Sequence, residues 1–249
     1  MIIVKTLAEI ENMRGAGKIL GSLLSQMQKK IKAGMTTGEV DKISADLMEA
    51  AGVKSAFYCY RGFPGNSCIS VNEEIVHGIP GERILQDGDI VSLDMGVIYK
   101  GVYSDAAITV AVGKPDPAAK RLIEITKKSL AEGIAKMQAG NRLSDISHAV
   151  QQYVEHHGFS VVRQFVGHGI GAQLHEDPEI PNFGRPGQGP VLRPGMVFAI
   201  EPMVNAGTWE CEVLSNGWTA VTVDGKLSAH FEHTVALTEN GPEILTKQD

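Results

Sequence analysis

A strand pattern runs through Asp89-Ile-Val-Ser-Leu-Asp-Met-Gly-Val-Ile-Tyr-Lys-Gly-Val-Tyr-Ser-Asp-Ala-Ala-Ile-Thr-Val-Ala-Val112. β-Branched residues alternate with other side chains on both sides of Lys100-Gly101, which predicts a β-hairpin. A two-residue loop at Lys100-Gly101 places Gly96 opposite Asp105. Because side chains alternate with a period of two, Asp94 shares that face. Asp94 and Asp105 are therefore expected to be diagonal neighbours, with Cβ atoms somewhat under ~7–8 Å apart.

The sequence on either side of this hairpin repeats itself. Residues 31–53 align without gaps with residues 137–159, at a constant offset of 106 (137 − 31). Each copy predicts one helix that leads into a strand region. Further along, the repeat continues in polar residues with small changes of offset: His77 matches His168, Asp94 matches Glu201, and Asp105 falls opposite Glu232.

This repeat predicts one domain, 1–249, made of two diverged halves, approximately 1–112 and 113–249. A pseudo-two-fold axis between the halves would bring the polar residues of each to a shared central site. Chance similarity between two α+β segments is the alternative. It is the weaker explanation, because polar as well as apolar positions match. We therefore expect an α+β protein.

The sequence predicts four helices, and it predicts strands and turns in the part of the chain that follows the fourth helix. Capping boxes begin the first two helices, and an Asp-Pro pair begins the third. The predicted helices span 6–32, Thr36 to Gly52, Asp116 to about Gly140, and 144–157. Residues 159–245 are expected to form strands and turns.

Length and composition narrow the class of protein. The 249 residues are 43% hydrophobic and 21% charged, which is ordinary globular usage and excludes a disordered, collagenous or coiled-coil chain. A net charge of −6 disfavours nucleic acid as the main partner. No apolar stretch approaches the ~18 residues that cross a bilayer, and the first residues lack a signal-peptide pattern. Three widely spaced cysteines fit a reducing cytosol, so we expect a cytoplasmic protein without a membrane partner.

Two carboxylates lie where apolar side chains are expected. Asp94 and Glu201 each interrupt an apolar strand pattern, and a buried carboxylate is costly unless a cation or metal pairs with it. For either residue alone, a solvated edge strand is the simpler explanation. Together with three further polar residues, they instead indicate a metal site. The candidate metal ligands are Asp94, Asp105, His168, Glu201 and Glu232.

Four carboxylates carry a charge of −4, which two divalent ions would balance and one would not. Oxygen-rich coordination with a single imidazole excludes a structural zinc site and favours a hydrolytic pair of ions about 3.5–4 Å apart. The ligand types suit Mn, Fe(II), Co or Zn, so the pattern does not select the metal.

The eight histidines divide by context. His77 and His175 lie in glycine-flanked loops beside the candidate ligands, which favours a catalytic role. Three others lie on a predicted helix and are expected on the surface: His148, His156 and His157. We expect the alternation of side chains around Glu232 to point both His230 and His233 away from the face of Glu232. Both are therefore interpreted as structural residues.

At these residues the chain resembles a known family, type I methionine aminopeptidase. The resemblance covers nearly the whole chain and rests on motifs in the family's order and spacing: Asn72-Glu-Glu-Ile-Val-His-Gly-Ile-Pro80, Gly167-His-Gly-Ile-Gly171, Leu174-His-Glu-Asp-Pro178, Phe198-Ala-Ile-Glu-Pro-Met-Val204 and Phe231-Glu-His-Thr234. More distantly, the chain is similar to the pita-bread superfamily of aminopeptidase P, prolidase and creatinase. The implied fold is two pseudo-symmetric halves around a curved antiparallel sheet flanked by helices.

The resemblance also implies an activity, which is removal of the initiator methionine from nascent proteins whose second residue is small. Water activated between two divalent ions would attack the scissile peptide carbonyl. Asp94 would then chelate one ion, Asp105 and Glu232 would bridge both, and His168 and Glu201 would complete the other. Glu201 would act as general base, His77 would contact the scissile amide or the peptide beyond it, and His175 would bond the scissile carbonyl oxygen.

A methionine pocket and a second cation site follow from the same resemblance. The implied pocket residues are Phe57, Tyr60, Phe63, Cys68, Leu174 and Trp218. An inert buried thiol is an equally good interpretation of Cys68. Oxygens of Asn72, Glu74 and Ser228 are implied to hold a structural monovalent cation.

Two other functions stay open on the sequence. A related X-Pro aminopeptidase or dipeptidase is disfavoured by chain length and by the pocket match. A non-catalytic module that binds peptides would have no reason to keep five ligands and both loop histidines. The expected partners are the N-termini of nascent polypeptides, and the expected state is a monomer. Docking at the ribosome, the metal and the second-residue preference are left open.

Overall fold

The computed structural model describes residues 2–247. Over that range the chain forms four α-helices: α1 (Leu7–Lys30), α2 (Thr37–Ala50), α3 (Pro117–Ala135) and α4 (Leu143–His156). One 3₁₀ turn covers Tyr60–Gly62. The strands of the first half are β1 (Lys54–Ser55), β2 (Cys68–Val71), β3 (Glu74–Val76), β4 (Ile90–Tyr99) and β5 (Val102–Ala111).

The second half is richer in short strands. They are β6 (Ser160–Val161), β7 (Gly167–Gly169), β8 (Glu176–Ile180), β9 (Val197–Ile200), β10 (Met203–Asn205), β11 (Cys211–Val213), β12 (Ala220–Thr222), β13 (Ser228–His230), β14 (His233–Thr238) and β15 (Gly241–Ile244). The prediction of strands and turns over 159–245 is confirmed.

Local capping chemistry sets the helix starts. Thr36 accepts the backbone N–H of Glu39, and the Glu39 carboxylate accepts the N–H of Thr36, so the predicted capping box is present at α2. Asp116 caps α3 as predicted. The predicted end of α3 near Gly140 is wrong, since the helix ends at Ala135. The Gly140 N–H bonds instead to the carbonyl of Leu192, so a tertiary contact replaces the helical hydrogen bond.

The β4–β5 hairpin has the predicted register. Gly96 pairs with Asp105, and the ladder closes at Tyr99 and Val102 beside the two-residue loop. On its other edge β4 pairs with β1 and with β2, where Cys68 lies opposite Asp94. Asp94 is therefore fixed by neighbours on both edges of its strand.

A five-stranded antiparallel sheet, ordered β15-β14-β9-β7-β8, carries the corresponding residues of the second half. Among the backbone hydrogen bonds between the two halves, two connect Ala107 with Glu232. The Glu232 N–H donates to the Ala107 carbonyl at 2.9 Å, and the Ala107 N–H donates to the Glu232 carbonyl at 3.3 Å. This seam, Ala107 with Glu232, brings β5 against the segment between β13 and β14.

Helices cover the sheets on the outside. α1 lies on β4 and β5, while α3 packs against α4 and β13. At Gly17 a Cβ atom would lie 2.4 Å from the Leu245 carbonyl oxygen, so glycine allows α1 to approach the C-terminal segment closely. Among the described residues, no helix has the length and apolar character to cross a membrane. The division of the chain near residue 112 stays a prediction.

Candidate active site

One cavity of about 260 Å³ opens between the two halves. All thirteen side chains predicted for the site line it: Phe57, Tyr60, Phe63, Cys68, His77, Asp94, Asp105, His168, Leu174, His175, Glu201, Trp218 and Glu232. The cavity is also lined by five residues that the sequence pattern did not predict: Arg61, Val76, Gln164, Phe165 and Val166. Three of these residues, Gln164, Phe165 and Val166, directly precede Gly167-His168, and this position next to a candidate ligand could have predicted them.

The acidic residues reach the cavity from different strands. Asp94 and Asp105 project from the β4–β5 hairpin, whose register confirms that they are diagonal neighbours on one face. His168 lies on β7, Glu201 directly follows β9, and Glu232 lies between β13 and β14. Because these strands belong to both halves, the cluster forms only when the halves meet.

The ligand atoms lie close enough to share metal ions. One ligand atom from each of Asp105, His168 and Glu232 lies within 4.8 Å of the others. His168 Nε2 lies 3.6 Å from Glu201 Oε1. Asp94 and Glu232 form a second group with His230, again within 4.8 Å. Glu232 thus belongs to both groups.

The prediction that His230 turns away from Glu232 is wrong. His230 Nε2 lies 3.8 Å from Glu232 Oε2, and its side chain is 1% exposed. Residues two apart in an extended chain point to the same side, which places His230 and Glu232 on a common face. His233 does point elsewhere, with Nδ1 2.9 Å from Thr246 Oγ1. The three helix-associated histidines lie outside the cavity lining.

Burial strongly disfavours charge on these carboxylates in the absence of cations. Burial raises the pKa of Asp94 to about 7. It also raises the pKa of Asp105, Glu201 and Glu232 well above the usual range, and repulsion from neighbouring carboxylates adds to the effect. Burial lowers the pKa of His168 to about 4, so this imidazole is neutral at pH 7 and free to act as a ligand.

The residues fit divalent cations. Asp94 Oδ1, Asp105 Oδ1 and Glu232 Oε1 are buried and have no hydrogen-bond partner among the described residues. Buried polar atoms normally have partners, and carboxylate oxygens without one are what a hard or borderline cation requires. An oxygen-rich cluster with neutral imidazoles is therefore chemically suited to a pair of divalent ions.

His175 is held by an aromatic neighbour. Its Nδ1 lies 2.8 Å from Tyr60 Oη, and the two rings stack with centroids 5.4 Å apart. Burial first, and then the neighbouring His168, Arg61 and His77, lower the pKa of His175 to about 3. The ring also lies 4.3 Å from that of His168, between centroids. His175 is therefore a neutral imidazole beside the acidic cluster.

His77 adopts a strained backbone conformation. Its φ of +59° lies in the left-handed region, which is uncommon for residues other than glycine and concentrates at functional sites. Its ring meets those of Phe165 and Trp218 edge to face, with centroids 5.4 and 6.3 Å away. Burial lowers the pKa of His77. This imidazole is thus presented at a fixed angle over the cavity.

Apolar side chains form the rest of the wall. Phe63 and Trp218 meet edge to face with centroids 5.2 Å apart. Leu174 is 2% exposed. Burial raises the pKa of the Cys68 thiol well above its usual range, so this thiol behaves as a small apolar group. These walls suit a flexible apolar side chain with a polarisable atom.

Two of the three residues implied for a monovalent cation, Asn72 and Ser228, are joined by a backbone hydrogen bond. The Asn72 carbonyl accepts the Ser228 N–H at 2.8 Å. The Glu74 carboxylate already accepts the Val71 N–H and an Arg83 N–H. Asn72 Oδ1 accepts the Ile90 N–H. The side-chain oxygens of Asn72 and Glu74 already accept hydrogen bonds within the protein, and the cation stays a prediction.

Comparison with known proteins agrees with this geometry. The profile of Metallopeptidase family M24 matches residues 11–239. The chain is 56% identical over 246 residues to a methionine aminopeptidase of Clostridium perfringens and 52% identical over 247 residues to methionine aminopeptidase 1 of Bacillus subtilis, with at least 99% of each chain covered. A methionine aminopeptidase structure from Thermotoga maritima superposes over the full length of both chains, with a TM-score of 0.97 and 49% identity.

A more distant likeness extends to the prolidase of Pyrococcus furiosus, with a TM-score of 0.81, 25% identity, and coverage of 99% of this chain and 66% of the prolidase. The chain therefore belongs to the class of M24 metallopeptidases and, within it, to the type I methionine aminopeptidases of the pita-bread superfamily. It is a hydrolase with an α+β fold. Membership of this family implies divalent metal ions, and the acidic cluster is where the described residues could hold them.

Proposed function

We propose that this chain removes the initiator methionine from nascent polypeptides whose second residue is small. One observation carries the proposal: buried carboxylates with unpaired oxygens share a single cavity with a wall of apolar and aromatic side chains. The carboxylates suit metal-assisted hydrolysis, and the apolar wall suits a methionine side chain. Together they support cleavage directly after one apolar N-terminal residue.

The proposed ligands are Asp94, Asp105, His168, Glu201 and Glu232, with Asp105 and Glu232 shared between two divalent ions. When bound, such ions would supply an acidified water and polarise the scissile carbonyl. Glu232 belongs to both ligand groups, which supports its sharing. His230 lies in the group with Asp94 and Glu232, and would hold these ligands in orientation from outside the metal site.

Glu201 is proposed as the general base. Its side chain is 14% exposed and opens onto the cavity, while burial and the charge of Asp94 raise its pKa. A carboxylate made more basic in this way accepts a proton from the attacking water more readily. Glu201 would then pass the proton to the leaving amine.

His175 is proposed to stabilise the oxyanion. A neutral imidazole carries one N–H, and a hydrogen bond from Tyr60 Oη to Nδ1 would place it on Nε2. That N–H would donate to the scissile carbonyl oxygen as negative charge develops there. His77 would contact the scissile amide or the peptide beyond it.

The substrate's first residue would lie against the apolar wall. Phe57, Tyr60, Phe63, Cys68, Leu174 and Trp218 would surround the methionine side chain. Its free α-amine would lie towards Asp94, so a blocked N-terminus should not be cleaved. The structural monovalent cation, the cytoplasmic location, the monomeric state and the division near residue 112 remain part of this proposal.

A product assay tests the function. Chelator-stripped protein would be reloaded with Mn, Co or Fe(II) in turn and given Met-Ala-, Met-Lys-, Leu-Ala- and Ala-Pro-initiated peptides, with an N-formylated Met-Ala peptide as control. Release of methionine from free Met-Ala alone supports the proposal. Cleavage of the Ala-Pro peptide would make the chain a proline peptidase, and no release with any metal would contradict the assignment.

A further inference from the structure

A buried ion pair lies outside the site described above. The Lys5 ammonium contacts the Glu176 carboxylate, and the two side chains are only 4% and 3% exposed. Lys5 belongs to the segment that precedes α1, whereas Glu176 is the first residue of β8 and directly follows His175. The pair therefore joins the start of the chain to the loop that carries His175.

Both carboxylate oxygens of Glu176 are used. Oε2 accepts from Lys5 Nζ, while Oε1 accepts the backbone N–H of Gln173 at 3.2 Å. The second bond closes the loop over residues 173–176, and His175 lies within that closed segment. A change in the Glu176 carboxylate would thus reach the backbone on both sides of His175.

The loop also packs directly onto the pair. A Cβ atom at Gly171 would lie 2.5 Å from Lys5 Cε and 2.8 Å from Glu176 Oε1, so there is no space between the loop and the two charged groups. The Gly171 carbonyl accepts the Tyr103 N–H at 2.8 Å, which fixes this part of the loop to β5. Gly171 thereby sets the distance between the loop and Lys5.

Lys5 itself is anchored. Its backbone N–H donates to the Gly195 carbonyl at 2.7 Å, and the Gly195 N–H donates to the Leu237 carbonyl at 2.8 Å. The ammonium also donates to the Ile3 carbonyl at 3.1 Å. The cation is therefore presented from a fixed point on the sheet that carries Glu201.

We propose that Lys5 and Glu176 are positioning residues that hold His175 at the distance and angle its reaction requires. The inference rests on the proposed function, since it uses the role of His175 there. Removing a pair of charges from water is costly, and apolar residues of similar volume often stabilise a fold equally well. What the ion pair adds here is direction, because it holds Glu176 Oε2 and so orients the carboxylate whose other oxygen, Oε1, accepts the Gln173 N–H beside His175.

A double-mutant cycle separates positioning from simple folding support. Glu176→Gln should lower kcat for methionine release about ten- to a hundredfold at saturating metal, with KM changed less than about twofold. In a His175→Ala background the same substitution should change kcat by less than about twofold, because the group it positions is absent. Full additivity of the two losses would overturn the proposal.

Substitutions at Lys5 test the other partner. Lys5→Met should lower kcat about as much as Glu176→Gln does. Lys5→Arg should keep kcat close to that of the wild type, because it keeps the cation. The double variant Lys5→Met/Glu176→Gln removes both charges and avoids an uncompensated one; the proposal expects a near-native melting temperature with low kcat. Normal kcat in the double variant would show that the pair only supports the fold.

Arg14→Met is the matched control. Arg14 Nε donates to Glu243 Oε1 at 2.6 Å, an ion pair that also ties the N-terminal region to the second half, but neither residue lines the cavity that contains His175. Its loss should leave kcat unchanged. An equal loss of kcat in Arg14→Met would contradict a specific effect through His175.

Amide hydrogen exchange gives a readout independent of activity. In metal-free protein, Lys5→Met should speed exchange of the Gln173 amide, while Arg14→Met should not. Unchanged exchange at Gln173 would overturn the proposal. If the wild-type protein releases no methionine with any metal, the proposed function fails, and the exchange result alone still decides whether the ion pair orders the loop.

Discussion

Thr234 takes the place of a strand neighbour for Asp105: its Oγ1 accepts the Asp105 N–H at 3.0 Å and donates to the Asp105 carbonyl oxygen at 2.8 Å. On the other side of the Ala107–Glu232 seam, Thr109 makes the same two bonds to His230, both at 2.8 Å. Side-chain hydroxyls therefore continue the pairing where the backbones have separated. This arrangement fixes the two carboxylates, Asp105 and Glu232, that the two metal ions are proposed to share.

Loss of the Thr234 hydroxyl should destabilise the fold. Thr234→Val keeps the shape but leaves a buried N–H and a buried carbonyl of Asp105 unpaired, which should lower the free energy of unfolding by about 1–3 kcal/mol. Urea unfolding of the metal-free protein measures this change. Thr234→Ser keeps the hydroxyl and should stay close to wild type. A valine variant as stable as wild type would contradict the bridging role.

Neutralising the shared carboxylate should remove metal and activity together. Glu232→Gln loses one charge and one strong ligand from both groups of ligand atoms. We expect bound metal, measured by elemental analysis after gel filtration, to fall below one ion per chain, and methionine release to fall with it. Glu49→Gln, at an exposed position on α2, is the control and should change neither. An active Glu232→Gln enzyme would refute the proposed sharing.

Metal binding should release protons, and the number should fall as pH rises. Burial raises the pKa of Asp94 to about 7 and that of the other three carboxyls well above the usual range, so the metal-free protein retains protons at pH 6.5 that a metal must displace. At higher pH more of these groups are already ionised. Calorimetric titration with Mn²⁺ in buffers of different ionisation enthalpy counts the protons. Equal release at pH 6.5 and 8.5 would argue against protonated ligands in the metal-free state.

The Tyr60 hydroxyl should matter for turnover more than for binding. Tyr60→Phe keeps the ring that stacks on His175 and removes the bond to Nδ1. A hydrogen bond of this kind contributes about 0.5–1.5 kcal/mol, so we expect kcat to fall up to about tenfold with KM nearly unchanged. Steady-state kinetics of methionine release test this, with Tyr58→Phe, 59% exposed, as control. A change confined to KM would assign Tyr60 to the pocket wall alone.

The edge-to-face pair in the pocket should govern KM. Trp218→Leu removes the ring that packs on Phe63 and leaves space in the apolar wall. Aromatic pairs of this geometry add about 0.5–1.5 kcal/mol beyond their buried area, so KM for methionine peptides should rise at least severalfold while metal content stays constant. Kinetics and elemental analysis on the same preparation would show this. Loss of metal in Trp218→Leu would mean that the ring supports the ligands as well.

The hairpin shows how far local sequence patterns reach. A two-residue loop and a period of two fix the pairing of Gly96 with Asp105 from contacts only a few residues apart, and the structure has that register. The same local logic places the helix start at Thr36. It failed at the end of α3, where Gly140 bonds to Leu192, a residue 52 positions away (192 − 140).

The repeat, the hairpin register, the helix starts and the set of polar residues that belong in one cavity all follow from the order of the amino acids along the chain. Each of these depends on spacing along the chain or on a charge that an apolar strand cannot leave unpaired. The common face of His230 and Glu232 also follows from the period of two, and its prediction failed because that alternation was misapplied. The ion pair of Lys5 with Glu176 and the bond between Tyr60 and His175 came from the tertiary structure alone. Their partners lie 171 and 115 residues apart along the chain, so no local pattern encodes these contacts, which arise only when the distant segments pack together.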